Sequence, residues 1–177
     1  MRTAQLCQEF DLTPAWRVFP LHPETPEDGV ELAELFAGHG YDLAAMAARL
    51  QAVATELGLP LGGRGRTYNS RRAQELGKWA EKQGKGESFH AAAYHAYFAQ
   101  GRNIARPEEL AALAAEVGLS AEEARRVIGE RSFATAVDAD WRRARTLGVS
   151  AVPTLVYGER TLVGFQPYDA FRRLIVG

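Results

Sequence analysis

Few side chains in this chain could carry covalent or proton-transfer chemistry. Cys7 is the only thiol among 177 residues, so the sequence holds no Cys-x-x-Cys pair, no intramolecular disulfide and no thiolate zinc site. Thiol–disulfide exchange needs an attacking thiolate, stabilised most simply at a helix N-terminus, and usually a resolving thiol beside it. Cys7 lies toward the other end of a predicted helix, where carbonyl dipoles disfavour negative charge. It reads as a small apolar side chain, and no catalytic residue is assigned.

The histidines do not assemble a metal site. His90 and His95 are five apart, about 140° around a helix, while His22 sits between prolines and His39 between glycines. Arg64, Arg66, Arg71 and Arg72 place four guanidiniums in nine residues, partly on a glycine-rich loop. Two readings stay open for them: an anion-binding rim for a carboxylate or phosphate, or a solvated loop and helix start. Gly-Gly-Arg-Gly-Arg lacks the Lys-Ser/Thr ending of a phosphate-cradling loop, so no nucleotide site follows. No metal and no cofactor are expected.

The elements that must position these groups are mostly helices. Residues 1–13 read as a helix closed by Pro14, and Ala15–Phe19 as a short strand. Pro20, Pro23 and Pro26 follow, implying an extended connection. From Val30 to Leu147 the periodicity is helical almost throughout. One stripe runs Leu43, Met46, Ala47, Leu50, Val53, Ala54, Leu57 and ends at Gly58. Ser70 reads as the N-cap of a helix burying Ala73, Leu76, Trp79 and Ala80. Pro107 opens another, and Ser120 with Glu123 forms a capping box for a third. Trp79, Phe89, Tyr97, Phe98 and Trp141 read as helical core. After Gly148 the period becomes that of strands: Thr154–Tyr157 and Thr161–Phe165, joined by Gly158-Glu159-Arg160, form a hairpin before a last helix with Phe171, Leu174 and Ile175 on one face. The expected architecture is α/β with one mixed sheet and a large helical insertion: 1–29 with 148–177 as one discontinuous part, 30–147 as the insertion.

A formal charge of −1, with 46% hydrophobic and 24% charged residues, fits an ordinary globular chain and gives no support to a nucleic-acid or anionic-membrane binder. No apolar run is long enough to span a membrane, and the charged N-terminus lacks a signal-peptide core. The expected compartment is cytoplasmic.

Gly148-Val149-Ser150-Ala151-Val152-Pro153-Thr154 resembles the cis-proline loop of thioredoxin folds. The ending that follows, including Gly164-Phe165-Gln166-Pro167, resembles the DsbA-like oxidoreductases and especially their FrnE-like branch. Trp16–Leu21 is similar to that branch's second strand. Tyr68-Asn69-Ser70-Arg71-Arg72-Ala73, Trp79-Ala80, Ala96-Tyr97-Phe98 and Gly101-Arg102-Asn103-Ile104 are similar to its helical insertion. The resemblance covers nearly the whole chain. It implies a thioredoxin-like fold and a substrate contact at Val152, Pro153 and Thr154, where the Val152 backbone would pair with a thiol peptide or a glutathione-like molecule.

Relatives carry a first strand and Cys-x-x-Cys ahead of the position matching Met1, and many carry His where Gln74 stands. The expectation is therefore an oxidoreductase-family chain that starts within the first helix and is impaired or inactive in exchange. Two alternatives accompany it. One is a non-catalytic binding module; the other is a glutathione-dependent isomerase of the 2-hydroxychromene-2-carboxylate isomerase type. The latter needs a Ser at the position of the redox motif, which Ser70, Ser88, Ser120, Ser132 and Ser150 do not supply. Unpaired strand edges lead to the further expectation of a homodimer.

Overall fold

The computed structural model describes residues 2–177, which divide into two compact units: 2–19 with 138–177, and 20–137. The helical unit thus takes in residues 20–29, which the sequence assigned elsewhere. Side chains explain this. Asn69 Nδ2 donates to the carbonyls of Pro23 and Thr25, Asn103 Nδ2 donates to that of Glu27, and Arg72 pairs with the Glu27 carboxylate. The prolines do not hold this segment extended; it folds through turns, with Thr25 N–H bonded to the His22 carbonyl and Gly29 N–H to that of Pro26.

The helical unit contains β1 (Val30–Glu31), α2 (Leu32–Leu35), α3 (Leu43–Glu56), β2 (Arg66–Thr67), α4 (Arg71–Lys82), α5 (Gly86–Tyr94), a π turn over His95–Ala99, α6 (Pro107–Glu116) and α7 (Ala121–Glu130). It also holds the start of α8 (Ala134–Thr146), within which the unit boundary falls. β1 and β2 pair antiparallel, Val30 opposite Thr67. The core lies among α4, α5, α6 and α7, where Leu76, Trp79, Phe89, Leu110, Leu113 and Ile128 are buried. Fully burying one such side chain contributes about 1.5–3 kcal/mol relative to exposure.

Two local devices differ from expectation. The first amide of α4 is taken by Asn69 Oδ1, accepting from Arg71 N–H at 2.9 Å, while Ser70 Oγ accepts from the Gln74 side chain. Asn69 caps because its amide is already oriented by the two carbonyls of the 20–29 segment. The apolar stripe of α3 is largely exposed: only Ala54 is buried, and Met46 and Leu50 face solvent. By contrast Ser120 Oγ accepts from Glu123 N–H, as a capping box requires, and Pro107 is in the first turn of α6.

The other unit contains α1 (Arg2–Phe10), the end of α8, β3 (Thr154–Tyr157), β4 (Arg160–Val163) and α9 (Tyr168–Val176). β3 and β4 form an antiparallel hairpin from Thr154↔Val163 to Tyr157↔Arg160. The loop is thus two residues rather than three, with Gly158 at φ +60°, the value a tight hairpin turn asks of its first central residue. Among the described residues the ladders form two separate antiparallel pairs, β1–β2 and β3–β4, rather than one mixed sheet, and Ala15–Phe19 forms no ladder. The Val18 amide instead donates to Asp140 Oδ2 at 3.1 Å, and Arg17 pairs with Oδ1 of the same carboxylate. The bond a ladder would have taken at Val18 goes to a buried acid.

Candidate functional site

The 152–154 loop is built between the end of α8 and the start of β3. Gly148 leaves the helix, and Val149 N–H turns back to the Ala144 carbonyl at 2.9 Å. Thr154 Oγ1 donates to the Ala151 carbonyl at 2.6 Å, closing a four-residue bend. Pro153 has no N–H to offer a ladder, so it is tolerated at the first position of a strand; its carbonyl accepts from Gly164 N–H at 2.8 Å, extending the hairpin by one bond. The Val152–Pro153 peptide bond is cis. Between these braces, Val152 is exposed, and its amide and carbonyl enter no hydrogen bond among the described residues. Val156, Tyr157, Val163 and Phe165 on the adjoining hairpin are exposed as well.

The connection from β4 to α9 is tied to α1. The Arg2 guanidinium lies 3.9 Å from the Phe165 ring centre and donates to the Gln166 carbonyl at 2.7 Å. Gln166 Nε2 donates to the Val163 carbonyl. Further along α9, Tyr168 Oη donates to Glu9 Oε2 at 2.5 Å and Arg172 Nε to Oε1 at 2.7 Å. The Tyr168 bond, with help from Arg172, holds the Glu9 carboxyl below its ordinary value of 4.5. Desolvation, then the same carboxylate, pushes the Tyr168 phenol up to about 12.

Val152, Pro153 and Thr154 therefore sit together at an exposed, braced turn. Cys7 is half-buried on α1, its carbonyl accepting from Leu12 N–H. The four arginines separate by partner. Arg66 pairs with Glu31, Arg71 with Glu75 and Arg72 with Glu27. Arg64 pairs with no carboxylate among the described residues and lies over the Tyr97 and Phe98 rings. His90 faces Glu81 at 3.8 Å, and burial pulls its imidazole below 6.5; His95 opens the π turn. Among the described residues no group of three or more His, Cys, Asp or Glu could hold a metal ion.

Two buried acids were missed. Glu75 accepts from Arg71 Nε and from Arg131 Nη2, each at 2.6 Å, and Asp140 anchors residues 17 and 18. A signal existed for both. Glu75 follows Arg71 by four on a face leading to Trp79, and Asp140 stands between Val137 and Ala144 on an apolar stripe, where a carboxylate requires a partner.

The family model for the DSBA-like thioredoxin domain matches residues 2–176. The chain belongs to that family. Among solved structures, this DSBA-like domain is similar to a probable DsbA oxidoreductase from Streptomyces coelicolor. The two are 28% identical with a TM-score of 0.84, over 98% of this chain and 81% of that one. A 2-hydroxychromene-2-carboxylate isomerase matches at 19% identity and a TM-score of 0.72, over 98% of this chain and 83% of that one, which shows shared fold. A search of curated proteins with the sequence found no match. The 177 residues of this DSBA-like domain carry one cysteine and hence no redox pair. No described helix is long and apolar enough to cross a membrane.

Proposed function

We propose that this DSBA-like chain keeps the substrate-holding half of its family's chemistry and not the electron-transfer half. The loop of Val152, Pro153 and Thr154 binds an extended thiol peptide or a glutathione-like molecule through the Val152 backbone. These 177 residues, with one thiol, are impaired or inactive in dithiol exchange. The observation that carries this reading is the exposed residue Val152, whose amide and carbonyl are unpaired among the described residues, on a turn braced by the Thr154 and Gly164 bonds. A backbone donor and acceptor fixed in one orientation are what an added peptide strand needs. Gly164–Pro167 and Tyr68–Ala73 support placing the chain on the FrnE-like branch, and its single cysteine suits the cytoplasm.

The hairpin supports a homodimer through sheet edges. Neither outer edge of β3–β4 has a ladder partner among the described residues, and Val156, Tyr157 and Val163 lie exposed on it. Sedimentation equilibrium at micromolar concentration would return twice the chain mass; a monomer at all concentrations would refute the dimer.

The test of the binding reading is an NMR titration of labelled protein with reduced glutathione and with a Cys-containing hexapeptide. The Val152 and Thr154 amides should shift saturably, and Thr154→Val, which removes the brace to Ala151, should weaken binding several-fold. A parallel insulin-reduction assay should stay at the background of the reductant alone. Shifts confined to other regions would overturn the site. Insulin reduction above background, lost in Cys7→Ala, would overturn the non-redox assignment.

A further inference from the structure

The arginine-rich loop of the helical unit contains one cation treated differently from its neighbours. Arg66, Arg71 and Arg72 each meet a carboxylate, whereas Arg64 makes no hydrogen bond or ion pair among the described residues. Its guanidinium carbon lies 4.6 Å from the Tyr97 ring centre and 5.1 Å from that of Phe98. Ring faces attract the cation but accept none of its in-plane N–H groups. A guanidinium held this way keeps its donor fork available for a planar acceptor.

The surroundings are built to hold that geometry. Gly62 N–H donates to the Phe98 carbonyl at 2.9 Å, stapling the loop to the π turn. A Cβ at Gly62 would come within 2.3 Å of the Ala99 carbonyl oxygen, so the approach requires glycine. Tyr97 Oη is fixed by Thr67 Oγ1 at 2.8 Å. Phe98 stacks nearly parallel on Tyr94, with centroids 5.8 Å apart, and Tyr94 is 63% exposed. A fixed cation and an exposed aromatic face thus belong to one cluster.

We propose that Arg64, with Tyr94, Tyr97 and Phe98, forms a subsite for the carboxylate of a ring-bearing ligand: the fork of Arg64 takes the carboxylate bidentately and the ring of the ligand packs on Tyr94. The subsite stands on the helical unit alone and does not depend on the 152–154 reading. Benzoate is the probe, followed through the Arg64 side-chain N–H resonance and the Tyr94 ring signals, with acetate and inorganic phosphate as comparison ligands.

Benzoate should bind saturably and move both sets of signals, with acetate weaker. Arg64→Gln should weaken benzoate at least about tenfold, the scale of losing a charge-assisted pair. Arg64→Lys, which keeps the charge without the fork, should remain well below the wild-type chain. Tyr94→Ser should weaken benzoate while leaving acetate unchanged. Tyr94 is exposed and Arg64 half-buried, and unchanged thermal melts would show the variants folded. Benzoate binding that Arg64→Gln leaves intact would overturn the proposal, as would no saturable shift at Arg64. Phosphate binding as tight as benzoate, unaffected by Tyr94→Ser, would overturn the assignment of a ring-bearing ligand.

Discussion

The two units solve burial differently. In the helical unit, Leu76, Phe89, Leu110 and Leu113 are almost wholly removed from solvent by helices α4 to α7. Among the described residues of the hairpin unit only Leu6, Ala144, Phe171 and Leu174 are buried apolar residues, while Trp16, Val152, Val156, Tyr157, Val163, Phe165 and Val176 remain exposed. The larger buried apolar core thus lies in the helical unit. A dense core makes the helical unit rigid around its own buried acid, Glu75. The hairpin unit relies on polar ties, such as Asp140 to residues 17 and 18 and Glu9 to α9, and leaves its backbone at residue 152 open. Local opening free energies should follow the same division.

The largest effect that would break this comparison is a core truncation. Phe89→Ala should cost about 3–5 kcal/mol in chemical denaturation, the range for emptying a close-packed aromatic site. Val156→Ser on the exposed face of the hairpin should change stability by less than about 0.5 kcal/mol. Equal costs would mean that burial does not separate the units. Next comes the acid inside the helical core. Glu75→Ala leaves the mostly buried Arg71 without its carboxylate and should cost about 3 kcal/mol, whereas a loss below 1 kcal/mol would show that other acceptors, or water, replace it.

The corresponding tie in the hairpin unit is smaller. Asp140→Asn keeps an acceptor but removes the charge that Arg17 meets, and should cost about 1–2 kcal/mol. Its signature is local: hydrogen exchange at the Val18 amide should accelerate while the amides of α4 and α6 keep their protection. Acceleration in both places would mean that the carboxylate supports the whole molecule.

What the sequence made legible were features decided within a few residues. The Ser120 cap and the Pro107 helix start each require one side-chain type at one backbone position, and both stand; the hairpin turn stands at Gly158 with a loop one residue shorter than expected. The family resemblance, carried by 148–167 and 68–104, was legible for the same reason: short motifs in a fixed order. Contacts between distant segments were not. Asn69 takes the cap from Ser70 only because residues 23–25 fold back onto its amide. Ala15–Phe19 has strand composition, yet a ladder needs a neighbour and its amide found Asp140 instead. The α3 stripe has helix-burying periodicity, but periodicity says which residues share a face and not whether anything covers it. At the candidate site, residues 152–154 could be named from the sequence. The separation of Arg64 from its three neighbours could be read only in part: Glu75 follows Arg71 by four on one helix, but Glu31 and Glu27 reach Arg66 and Arg72 from segments distant in the chain.

The smallest expected effect is a pH dependence that belongs to the helical unit alone. Burial lowers the His90 imidazole below 6.5, outweighing the attraction of Glu81, so the folded state binds this proton less readily than the unfolded chain. Stability from this source is fully present above pH 6.5 and declines as the pH falls through the window beneath it. His90→Gln should flatten denaturation midpoints between pH 6.5 and 5 while leaving those at pH 8 nearly unchanged. The Glu9 carboxyl, also lowered, acts on the hairpin unit further down the scale, its contribution fading as the pH drops below 4.5. Two probes, one in each unit, should therefore lose signal over different pH ranges. If both followed the His90 window, the units would unfold as one cooperative body, and the contrast between a rigid helical core and a loosely tied hairpin would fail where it is easiest to measure.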